Sequence, residues 1–408
     1  MGTRLLVAGL AALAAGGCGG GSSEPAKPKP TPTATTVSEG AQQPRDDAGE
    51  INALLRERAG LLEQGRAAAF AATSTGTQRA RDRRAAKRTK ALSLERVRFV
   101  ADELQTSGNR ASVAVTLSYR VRGMKRPFRT PRRVRARRTA DGWRVTRDKP
   151  RREPLPWEVA AFRAIRSRHV VLLAPRGIDA APLRSGLERA YRDIRRDLPS
   201  RDLPPSVLVI AAGDARQAKQ LAGRIAHGIL AIANVTVDWG PPPALQVERV
   251  LAQRLIVVVD RWRLQPEMAR QSTLAHELTH TALDPDTSAR TPPWLIEGVA
   301  MYVSNDDRSE EARARAAGLG PSMKLRQLCM PNSIFRLRGR DQAAAYAAAS
   351  AAAEAIVARR GTKGLFKLYD AFNESTIPGG PGAETTDRVL RRTLGMSLAR
   401  LDAAVATG

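Results

Sequence analysis

The sequence predicts an α+β chain, with helices laid on an antiparallel sheet and then a second unit whose C-terminal half is mostly helical. Three observations predict it. Apolar residues recur at helical spacing through 49–72. They then alternate with polar ones in three short runs between Val97 and Val145. Beyond residue 155, short apolar runs give way to long amphipathic stretches. The 408 residues suit two or three domains. With 42% hydrophobic and 26% charged residues, collagen-like, coiled-coil-only and fully disordered chains are excluded. Two cysteines exclude a disulfide-stapled scaffold. No apolar stretch reaches eighteen residues, so no conventional membrane span is expected. The formal charge is +27, carried by 57 Arg and 10 Lys, and points to a polyanion or a membrane surface as partner.

Residues 1–18 read as an export signal. Arg4 precedes an apolar run from Leu5 to Ala15, too short to span a bilayer and suited to a secretory core. The run ends in Ala15-Gly16-Gly17-Cys18, which resembles a bacterial lipobox, although Ala15 stands where the usual pattern has Leu. The resemblance implies lipidation of Cys18 and a chain anchored on the extracytoplasmic side of the cell membrane, or else secreted. Residues 19–48 are rich in Gly, Ser, Pro and Thr and form an extended linker. With Cys18 acylated, Cys329 is left as a free, buried, structural thiol.

Residues 49–152 form the first folded unit. Ile51, Leu54, Leu55, Leu61, Leu62 and Phe70 mark an amphipathic helix. Val97, Phe99 and Val100, then Ala111 to Val121, then VRARRTADGWRV give strands, with Asp141-Gly142 as a hairpin turn. This layout and the DGWRV strand resemble the nuclear-transport-factor-2-like (SnoaL-like) cone. Residues 79–152 carry +19 of the +27. The few aromatics there (Phe99, Tyr119, Phe128 and Trp143) sit mostly in strand-like runs that face a core, so no specific nucleic-acid site is expected. An anionic envelope polymer or phospholipid surface is the expected contact.

Residues 155–408 hold the chemistry. Positions 276–280 read HELTH. Two His four residues apart lie about 40° apart around a helix, so both imidazoles reach one metal ion. Zinc suits such nitrogen ligands, and the intervening Glu277 suits a metal-bound water. The residues from Gln265 to Leu283 form the helix that carries them. A third ligand is needed, and two residues compete. Asp286 lies six residues after His280, but Leu283 occupies the position where that arrangement wants Gly. Glu297 lies seventeen residues after His280, on a helix that Pro292-Pro293 would start. His169 and His227 read as structural, and no phosphate-binding Gly motif appears.

HELTH followed by PPWLIEGVAMY resembles the gluzincin metallopeptidases, and among them the bacterial peptidase MA-like group. The likeness extends over 155–408. SRHVVLLAP, the helix Leu183–Leu198 and SVLVIAA match the family's first βαβ unit, and RLIVVVD (254–260) matches a strand that edges the substrate cleft. AYAAASAAAEAIVARRGTKGLFKLYDAF resembles the family's later helices. The resemblance implies a zincin-like fold, a zinc cofactor held by His276, His280 and Glu297, Glu277 as general base and then acid, and Tyr346 as an oxyanion stabiliser. It implies a polypeptide substrate. Met301 departs from the pattern, since many gluzincins place there a carboxylate that orients a ligating His; Asp284 is a candidate substitute. The alternative expectation is a weak or degenerate zinc domain acting as an envelope-binding scaffold.

Overall fold

A computed structural model describes residues 4–7, 46–198, 201, 203–223, 229–241, 245–305, 323–374 and 379–407. Cys18, His227 and residues 19–45 of the expected linker lie outside them. The chain is α+β.

Arg4–Val7 is a short strand (β1). The first folded unit begins with α1 (Asp47–Glu63), whose N-terminus Asp46 caps by accepting from the Gly49 amide at 2.8 Å. One helix over 49–72 is expected from the pattern, but two form. Gly65, at φ 64°, turns the chain between α1 and α2 (Ala67–Ala72), because a left-handed residue cannot continue a helix. The basic run beyond them is α3 (Gly76–Thr89).

Four antiparallel strands come next, β2 (Leu94–Ser107), β3 (Arg110–Val121), β4 (Phe128–Thr139) and β5 (Gly142–Pro150), paired in sequence order. Along β3 every second residue is buried, from Ala111 to Val121, and this face packs under the helices. Val100, read with Phe99 as one apolar run, instead points outward and is half exposed. A buried charge network holds this unit together and reaches into the second one. Arg58 meets Asp82 at 2.9 Å, and Arg132 meets Asp148 at 2.7 Å and Glu158 at 2.6 Å. Glu158 belongs to α4 (Pro156–Val159), so Arg132 links the small sheet to the second unit.

The second unit is built on a six-stranded sheet. After β6 (Phe162–Arg166), β7 (Val170–Pro175), α5 (Ala181–Asp197) and β8 (Val207–Ala212) form the expected parallel βαβ unit. Then come α6 (Ala215–Ala222), β9 (Ala231–Trp239) and β10 (Val247–Val258). The strand order is β1-β9-β10-β8-β7-β6; β1 falls within the expected export signal, so a chain cleaved before Cys18 keeps the other five strands. One expectation is corrected here. The strand containing Arg254 to Val258, expected to edge the substrate cleft, has no free edge for an extended substrate; β10 runs between β8 and β9, parallel to the first and antiparallel to the second. Its all-apolar end, from Leu255 to Val258, is what a strand covered on both faces requires.

The remainder is helical: α7 (Val259–Trp262), α8 (Glu267–Leu283), α9 (Pro293–Ser304), α10 (Ser333–Arg336), α11 (Gly339–Ala371), α12 (Ala383–Leu394) and α13 (Leu398–Thr407). The helical register of α11 breaks at Gly361, with φ 67° and ψ 173°. None of the described helices is long and apolar enough to cross a membrane.

Candidate metal centre

Helix α8 is sandwiched between two cores, and that sets its side-chain directions. Leu274, Leu278 and Ala282, four residues apart, pack into the core beneath α5 and the large sheet. His276 and His280 lie about 200° around the helix from Leu274 and Leu278. They therefore face away from that stripe, towards α9. On α9, Leu295 and Val299 are fully buried in the helical core, and Glu297, about 200° from Leu295, is turned back towards α8. Pro293 starts α9 at its first position, where a missing N–H costs nothing.

Three ligand-type atoms meet as a result. His280 Nε2 lies 3.1 Å from His276 Nε2. Glu297 Oε2 lies 3.2 Å from His276 Nε2 and 3.6 Å from His280 Nε2. All three residues are buried, and they are the cluster of three or more His, Cys, Asp or Glu side chains among the described residues that could hold a metal ion. A tetrahedral ion about 2.0–2.1 Å from its ligands puts neighbouring ligand atoms about 3.3 Å apart. The three spacings bracket that value, so the donor set fits zinc. Burial acts to raise the Glu297 carboxyl, but the two imidazoles outweigh it and hold the group well below the usual carboxylate range.

Glu277 projects between the histidines and the sheet. Its Oε2 accepts the Ala233 amide of β9 at 2.6 Å. The strand lying against the general-base candidate is thus β9, not β10. Behind the site, Gln253 of β10 donates to the Thr281 carbonyl at 2.8 Å and to Asp284 Oδ2 at 2.7 Å, clamping the end of α8. Asp284 is buried and its carboxyl is pushed up to about 7 by that burial, against the lowering pull of Gln253 and His280. Asp286 lies elsewhere, in an ion pair with Arg201 at 2.7 Å, and is not among the three convergent ligands. Tyr346 is partly buried on α11, three residues before Ala349, whose carbonyl abuts Gly298 of α9. Met301, also buried, takes no part in the polar cluster. His169 is structural: Glu188 holds its Nδ1 at 2.8 Å and its ring stacks on Tyr191. Cys329 is buried, and its thiol is pushed up to about 11 by that burial.

Sequence reasoning missed the Ala233 amide, the Gln253 clamp and the close approach at Gly298. The first two are long-range contacts with no motif. The third had a signal, a Gly directly after the candidate ligand within an otherwise apolar helix.

No family model matches the chain, and no curated protein does. Among solved structures, it is similar to an M1 zinc metallopeptidase from Deinococcus radiodurans, with 11% identity over 76% of this chain and 94% of that one, at a TM-score of 0.35. It is also similar to an M1 zinc metallopeptidase from Deinococcus radiodurans bound to a Tyr-Ser-Ala substrate, with 12% identity over 73% of this chain and 90% of that one, at a TM-score of 0.33. A two-domain M1 zinc metallopeptidase bound to L-arginine gives 15% identity over 66% of this chain, which spans 57% of that protein, at 0.32. Likenesses this distant carry no argument about chemistry.

Proposed function

We propose that the chain is a zinc metallopeptidase that hydrolyses peptide bonds in an extracytoplasmic polypeptide. The observation that carries this reading is the convergence of His276, His280 and Glu297 with Glu277 set beside them. When bound, zinc supplies a Lewis acid for the scissile carbonyl and lowers the pKa of its water to about 7. The protein's own groups do the rest. The two imidazoles and the Glu297 carboxylate would hold the ion, and three protein ligands would leave room beside it for water or substrate. Ala233 holds one oxygen of Glu277, so the other is oriented to take a proton from the attacking water. Glu277 then hands that proton to the leaving amine. Tyr346 is assigned to steady the developing oxyanion. With the expected anchor at Cys18, the reaction is assigned to the outer face of the cell membrane.

The test is Glu277→Gln. Zinc content should stay at wild-type level, while hydrolysis of a mixed peptide library falls by about 10²-fold or more. A variant that keeps full peptidase activity refutes the assignment of Glu277.

A further inference from the structure

The outer face of the small sheet carries a lattice of cations. The register sets Arg110 opposite Arg137 and Arg137 opposite Arg144. It also sets Arg135 opposite Arg147 and Arg133 opposite Lys149. Neighbours across strands lie about 5 Å apart, and successive outward residues along a strand about 7 Å apart. Like charges placed directly opposite oppose pairing of the strands. Elsewhere the same unit neutralises its arginines: Arg120 and Arg122 share Glu95, and Arg132 holds Asp148 and Glu158. Among the described residues, none of the lattice cations has a carboxylate partner. The nearest acids in register are on β2, where Glu103 faces Ala114, a full strand away from Arg133. Outward residues of β3 between the charges are small (Ser112, Ala114); Ser112 accepts from Arg133 Nη1 at 3.3 Å, and that contact leaves the guanidinium exposed and its charge unneutralised.

We infer that this face docks the protein onto an anionic phospholipid bilayer. The recognised chemistry is phosphate, which guanidinium binds in bidentate fashion. Two features choose a bilayer over a polymer thread. The cations spread over three strands as well as along them, matching charge arranged in a plane rather than on a line. Phe99, Tyr119, Phe128 and Trp143 are all buried in the core, so the face offers no ring on which a base could stack. The expected export signal would deliver the chain to where such a surface is met. This docking is independent of the zinc centre.

The experiment is vesicle co-sedimentation of the full chain carrying Cys18→Ser, so that no acyl chain contributes. Vesicles of phosphatidylcholine alone are compared with vesicles that also contain phosphatidylglycerol. Apparent affinity should be about tenfold or more higher on the anionic vesicles and should fall steeply with salt. The triple variant Arg133→Gln, Arg135→Gln, Arg137→Gln should lose most of that preference with a melting temperature no lower than wild type, since opposed like charges are removed. A control removing three α5 charges, Arg184→Gln, Arg192→Gln, Arg195→Gln, should keep it. The inference is overturned by equal binding to both vesicles, by equal loss in both triple variants, or by tighter binding to a DNA duplex than to anionic vesicles at equal phosphate concentration. Zinc content is unaffected in every arm, so failure here leaves the peptidase reading standing.

Discussion

Gly298→Ala is a small change with a large expected consequence. A methyl carbon at that position would lie 2.3 Å from the Ala349 carbonyl oxygen, 3.0 Å from its carbon and 3.3 Å from Ala353 Cβ. A carbon–oxygen contact needs about 3.3 Å, so α9 and α11 must separate locally by about 1 Å. The obstacle is backbone, and no rotamer change relieves it. Overpacking of this kind costs about 1–3 kcal/mol. The melting temperature should then fall by about 2–4 °C per kcal/mol in a unit of this size. Glu297 is the adjoining residue and must move with the helix. Metal sites tolerate displacements of only about 0.2 Å, so zinc affinity should drop about tenfold or more. Thermal unfolding of the metal-free protein reads the first effect, and competition with a chromogenic chelator reads the second. A melting temperature within about 1 °C of wild type, together with unchanged zinc affinity, would refute the reasoning.

Two other buried groups give outcomes of their own. The Asp284 carboxyl is raised above its unfolded value, so the folded state binds its proton more tightly. Its contribution is therefore greatest at low pH and is lost as pH rises from about 4 through about 7. Metal-free Asp284→Asn should show a flatter stability–pH curve over that window, measured by urea unfolding at pH 5 and pH 8; parallel curves would contradict this. Cys329, in a Cys18→Ser background, should resist a disulfide reagent at pH 8 in the folded protein and react at once in denaturant. Rapid labelling of native protein would show that the thiol is reachable.

Much of the architecture was legible because local pattern and tertiary role agree. The alternation along Ala111 to Val121 marks a half-buried strand, and it forms one. HELTH lies on a helix, and Pro293 starts the next. The competition for third ligand needed three dimensions. Asp286 and Glu297 both come after HELTH at plausible distances, and only the packing of α9 against α8 brings Glu297 to the histidines while Arg201 holds Asp286 elsewhere. The cleft-edge place of β10 came only from the family resemblance; its apolar run tells that both faces are covered, not which strands lie alongside. The break at Gly65 was missed because the apolar spacing continues across it. The charge also changed meaning once the register was known. Some arginines of the small unit sit in buried ion pairs, and others line one open face.

Metal analysis of the purified protein, wild type beside Glu297→Ala, bears on the whole reading. About one zinc per chain is expected in the wild type, with loss of most of it when the third ligand goes. A wild type that binds no zinc, or a Glu297→Ala variant that retains the full equivalent, would contradict the centre built from His276, His280 and Glu297.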